Sequence, residues 1–147
     1  MKHIVEMKKL EPAIREIIGA GGKVRLTVTG QSMLPTLSEY RDSVVLEKPE
    51  KLKKSDIVLY QRKNGDYVLH RIVKVKKEGY GLCGDNQKVV EFPIDKEQII
   101  AVVSSIIRKG KTIDKKNMWY RVRAFFWTNC IPLRPIIFKT VMKLKNL

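Results

Sequence analysis

Apolar and polar positions alternate along this chain with two different periods. Ile4, Met7, Leu10, Ile14, Ile17 and Ile18 recur three and four positions apart with Lys and Glu between them, and the run stops at Gly19 to Gly22. That spacing predicts an amphipathic helix closed by glycine. From Lys23 to Thr29 the period changes to two, with Val24, Leu26 and Val28 on one face and Arg25, Thr27 and Thr29 on the other. A strand is expected there, running into the turn Gly30-Gln31-Ser32. Further β-type segments follow at Ser43 to Glu47, Asp56 to Arg62, Tyr67 to Val75, Tyr80 to Cys83 and Gln98 to Ile107. Asn64-Gly65 between two of them signals a hairpin, because both residues tolerate positive φ. The end of the chain returns to helix in two pieces around Pro132 and Pro135.

This order of elements predicts a mainly β (α+β) fold: a small coiled sheet or partly open barrel, with an N-terminal amphipathic helix and C-terminal helices. Three segments are expected: the helix at 1–22, a β domain at 23–110 and a helical tail at 111–147. A length of 147 residues suits one compact domain with a core of its own and excludes a multi-domain enzyme.

Charge distinguishes the tail. Lys and Arg outnumber Asp and Glu by 30 to 15. From Arg108 onward the cations recur to the end of the chain, and Asp114 is the single acidic residue among them. Trp119, Tyr120, Phe125, Phe126, Trp127 and Phe138 interleave with those cations, the composition of a membrane interface. Ile136, Ile137, Val141 and Leu144 are expected on one helical face, with Lys139 and Lys143 on another. No glycine-rich aromatic motif points to RNA, so anionic lipid is the expected polyanionic neighbour and nucleic acid is not. No segment has the roughly 18 to 20 apolar residues that span a bilayer. The expected location is therefore cytoplasmic and peripheral to the membrane.

Few residues can carry chemistry. Cys83 and Cys130 lie in no metal-ligand spacing, so neither a zinc site nor a cofactor is expected, and two free thiols are the simpler reading. His3 is terminal and reads as solvated. His70 shares a strand face with Val68 and Ile72 and by spacing alone reads as a core or rim histidine. Ser32 in a Gly-x-Ser turn and Gly84-Asp85-Asn86 in a turn of its own are individually weak signals.

Taken in order, these segments resemble the type I signal peptidases and their LexA-type self-cleaving relatives. Thr29-Gly30-Gln31-Ser32-Met33-Leu34-Pro35-Thr36-Leu37 resembles the nucleophile box, and Ser55-Asp56-Ile57-Val58 a following strand. Leu69-His70-Arg71-Ile72-Val73 falls where the general base is expected, and Gly84-Asp85-Asn86 matches the closing box. The resemblance covers roughly residues 23–107. Bacterial members use a Lys base, whereas His70 is similar to the endoplasmic-reticulum and archaeal type. Members normally carry an N-terminal transmembrane segment, where this chain has a charged amphipathic helix.

The resemblance implies a serine endopeptidase that removes a leader or signal peptide from a precursor polypeptide, with small side chains preferred at the first and third positions before the cut. Ser32 would attack the scissile carbonyl and His70 would accept its proton. Asp85 is the first choice to orient the imidazole, with Glu91 and Asp95 as the other candidate carboxylates. The Ser32 amide would form half of an oxyanion hole, Gly30 and Thr29 bear on its second donor, and Met33 reads as packing in the cleft. A histidine base predicts activity rising through a pKa near 6 to 7. Two other readings stand beside this one: a LexA-type self-cleaving regulator, for which Ala20-Gly21 is the nearest Ala-Gly bond, and a non-catalytic module binding membrane or nucleic acid. A protein partner could complete the site.

Overall fold

The computed structural model describes residues 6–146. The order is helix α1 (Met7–Gly19), strands β1 (Val24–Thr27), β2 (Asp42–Glu47), β3 (Ile57–Gln61), β4 (Tyr67–Lys76), β5 (Gly79–Cys83), β6 (Glu91–Ile94), β7 (Ile99–Arg108) and β8 (Lys111–Asp114), then helices α2 (Met118–Asn129) and α3 (Arg134–Lys145). All eight strands join one antiparallel sheet along the path β1-β2-β7-β3-β4-β5-β6, with β8 paired to β7, and the sheet does not close on itself. The open, coiled form of the expected fold is the one adopted. His3 and Ile4 lie outside the described residues.

β7 organises the sheet. One of its edges pairs with β2, while the other pairs with β3 near its start and with β8 near its end. Both faces are covered, which explains the near-continuous apolar run from Ile99 to Ile107. Ile57 and Leu59 point into a cluster with Ile14 and Ile18 of α1, Val44, Leu46, Ala101 and Val103. Val58 and Tyr60, one position out of phase, point the other way, toward Ile72, Leu82, Ile94 and Val102.

Asn64-Gly65 closes the β3–β4 hairpin, but only Gly65 takes positive φ, at 98°. Asn64 instead accepts the Asp66 amide at 3.0 Å through its side chain. Two strands escape the sequence pattern. β6 is short and contains Pro93, and β8 sits in residues 111–114, which the hydrophobic pattern assigns to the helical tail. The Ala20-Gly21 bond lies in the hydrogen-bonded end of α1, where Ala20 N–H donates to Glu16 O and Gly21 N–H to Ile18 O.

α2 begins at Asn117, whose side chain accepts the Trp119 and Tyr120 amides. Its inner face, Ala124, Trp127 and Thr128, is buried. The expected single apolar face of α3 splits: Ile137 and Val141 line a cavity beside the sheet, whereas Ile136 and Leu144 are exposed. Among the described residues no helix is long and apolar enough to cross a membrane.

Candidate active site

Three segments meet around Ser32. The loop after β1 carries Ser32, half-buried, and turns on Gly30, whose φ is 85°. β4 brings His70, and the turn after β5 brings Gly84, Asp85 and Asn86. The Asn86 amide donates to Ser32 O at 2.8 Å and its side chain to Gln31 O at 3.2 Å, so the 84–86 turn holds the Ser32 loop directly.

Gly84 is the tightest point of the site. A Cβ there would lie 2.5 Å from Ser32 O and 3.0 Å from His70 Nε2. Any side chain would be driven between these two groups, so glycine is required by close approach rather than by φ. His70 Nε2 and the Ser32 backbone therefore face the same small space. No hydrogen bond joins the Ser32 hydroxyl to His70 among the described residues.

His70 is 1% exposed. Its Nδ1 is 3.2 Å from the Tyr60 hydroxyl. Glu91, whose charge acts on both His70 and Tyr60, is gripped by Arg62 at 3.0 and 3.2 Å through Nε. The Tyr60 hydroxyl can accept from His70 Nδ1–H, an arrangement that would leave the lone pair on Nε2. Nε2 lies toward Gly84 and the Ser32 carbonyl. Burial lowers the His70 pKa to about 4, partly opposed by the negative charge of Glu91. The sequence expectation of a base titrating near 6 to 7 is corrected by this burial. Tyr60 is pushed above its ordinary range by burial and by Glu91.

The three candidate carboxylates thus have different neighbours. Asp85 is fully buried, accepts from Arg71 Nε and Nη2 at 2.8 Å each and from the Thr36 hydroxyl, and has no hydrogen bond to His70. Its amide meets Met33 Sδ at 3.4 Å. Asp85 ties β4 to the loop that carries Ser32. Glu91 is held by Arg62 and acts on the imidazole through its charge. Asp95 is exposed at the start of a short 3₁₀ turn, where its amide donates to Gln98 Oε1 at 3.0 Å, and touches neither.

A cleft of about 100 Å³ opens beside Ser32, between Val28 to Met33 on one side and Tyr67 to Leu69 on the other. Thr29 and Gly30 lie on its wall, and the Gly30 amide is already donated to Glu39 at 3.0 Å. Met33 is buried at its base. β1 is an edge strand, and β4 pairs with β5 only from Arg71 onward, so both walls have a free backbone edge.

Sequence reasoning missed the support from the tail. Arg134, at the start of α3, is 2% exposed and donates to Gly84 O, to Gln87 O at 2.7 Å and to Trp127 O at 3.0 Å through Nε. Ser55 and Thr128 hydroxyls meet at 2.7 Å, and Arg71 Nη1 donates to Ser55 O at 2.8 Å. The C-terminal helices therefore buttress both the closing turn and the Arg71–Asp85 pair. Cys83 and Cys130 are free thiols, and burial raises the Cys83 pKa.

The family model described as Peptidase S24-like matches residues 4–107, and the chain belongs to that family. No curated protein matches it.

Proposed function

We propose that this S24-like chain is a serine endopeptidase that removes a leader or signal segment from a polypeptide, with Ser32 as nucleophile and His70 as general base. The observation that carries this reading is the space kept open by Gly84, with the Ser32 carbonyl on one side and His70 Nε2 on the other. In the reaction Nε2 takes the hydroxyl proton as Ser32 Oγ bonds to the scissile carbonyl carbon. The imidazolium then gives that proton to the leaving amine, and water repeats the sequence to release the acyl group. Burial opposes the imidazolium, and the negative charge of Glu91 offsets part of that cost. The Ser32 amide faces no protein acceptor among the described residues and suits the oxyanion.

Substrate fits as an extended strand between the free edges of β1 and β4, which supply main-chain hydrogen bonds. A cleft of about 100 Å³ favours small side chains next to the cut. Self-cleavage at Ala20-Gly21 is the weaker alternative, because that bond is held in the helical turn that ends α1 rather than in an extended strand. Trp119, Phe125, Leu133 and Ile136 are each more than half exposed beside Lys139 and Lys143, which supports contact with an anionic membrane surface at the cytoplasmic face.

The test is mass spectrometry of a peptide library incubated with the protein and with Ser32→Ala, in the presence of anionic vesicles. Cuts made only by the wild type, after small residues, are expected. Equal cleavage by both proteins, or none by either, would refute the proposal.

A further inference from the structure

A second and larger cavity lies on the far side of the Arg71–Asp85 pair. Its volume is about 820 Å³, within the ~300–1,000 Å³ range of small-molecule sites. The sheet supplies Ile106 and Ile113, and the C-terminal helices supply Trp127, Ile137 and Val141, so most of its wall is apolar. The charged lining is of one sign: Arg71, Arg108, Arg123 and Lys145, with no carboxylate.

Two of these cations are already committed. Arg71 holds Asp85, and Arg108 holds Asp42 at 3.0 Å while donating to Thr36 O at 2.7 Å. Arg123 and Lys145 have no ion pair among the described residues. Partial desolvation, together with Arg41, Arg108 and Arg123, holds the exposed Lys145 ammonium below its usual range, and Asp42 only partly offsets this. Asp42 already serves Arg41 and Arg108. Positive charge is therefore gathered at an apolar cavity without an equal negative charge.

We propose that this cavity binds a single-chain amphiphile with an anionic head, a long-chain carboxylate. Its chain lies among Ile106, Ile113, Trp127, Ile137 and Val141, and its head meets Arg123 and Lys145. The cavity wall includes Thr36 and Arg71, the two groups that hold the Asp85 carboxylate, so an occupant braces the helices against the back of the peptidase site.

Isothermal titration with laurate, alongside dodecyltrimethylammonium of equal chain length and phosphatidylglycerol vesicles, tests the assignment. One laurate per chain and a raised Tm are expected, with no binding of the cationic amphiphile. Arg123→Glu with Lys145→Glu should weaken laurate by roughly tenfold or more. Val141→Trp, which fills the cavity with an apolar group, should abolish binding while the far-ultraviolet circular dichroism is kept. If Val141→Trp does not fold, the charge variants at the two exposed positions decide. Absence of laurate binding, equal binding of the cationic amphiphile, binding unchanged in the charge variants, or binding to vesicles alone would each overturn the proposal.

Discussion

Removing one oxygen from Tyr60 tests how His70 is made into a base. Tyr60 is fully buried and His70 is 1% exposed, so water cannot replace the lost hydroxyl in Tyr60→Phe. His70 Nδ1, 3.2 Å from that hydroxyl, would lose its partner. An unpaired buried polar group costs about 1–3 kcal/mol. If that cost falls on the transition state, kcat drops roughly 5- to 150-fold at unchanged KM, since ~1.4 kcal/mol is tenfold in rate. The tautomer should change too. With only two histidines in the chain, His3→Gln leaves His70 as the sole imidazole, and its ¹⁵N resonances report which nitrogen carries the proton. The wild type should show Nδ1–H at neutral pH and Tyr60→Phe a mixture of forms. An unchanged kcat together with an unchanged tautomer would refute the role given to Tyr60.

Other consequences are as direct. Because the folded His70 pKa is about 4 against 6.5 unfolded, the unfolded chain binds the extra proton between those values. Stability should therefore be complete above pH 6.5 and fall by about 3 kcal/mol as pH drops to 4, while His70→Gln flattens that part of a denaturant-midpoint profile. Peptidase activity should stay level from neutrality down to about pH 5 and fail near 4; a limb centred at 6.5 would contradict the burial argument. Gly84→Ala should abolish cleavage, since its Cβ meets Ser32 O and His70 Nε2, and wild-type kcat in that variant would disprove the close approach. Asp85→Ala leaves the Arg71 guanidinium buried and unpaired, for which urea midpoints should show a loss of about 3–5 kcal/mol; a loss below 1 kcal/mol would sink the clamp.

Local periodicity made the helix α1, the main strands and the β3–β4 hairpin legible, because each is decided by residues a few positions apart. β6 and β8 were not, since Pro93 masks the first and Ile113 is the only large apolar residue of the second. Motif order drew attention to Ser32, His70 and the Gly84-Asp85-Asn86 turn, which the fold brings together. The partner of His70 had a readable signal that the motif pattern passes over. The hairpin register sets Val58 opposite His70 and puts Tyr60 on the same face, diagonal to it, within reach of a long aromatic side chain. Arg134 had no such signal. In sequence it is one basic residue in a basic tail, and only the tertiary packing of α3 buries it. The charge of the tail likewise suggested an outward-facing surface, whereas Thr128, Trp127 and Arg134 face inward.

Arg134 stands 50 positions after Gly84, the residue whose carbonyl it satisfies. A ribosome makes chains from the N-terminus and domains begin to fold as they emerge. Ser32, His70 and the Gly84 turn are therefore all synthesised while the side chain that closes the turn does not yet exist. The residues proposed for catalysis precede their brace, so the site is completed only once the first turn of α3 has been made and is free to dock.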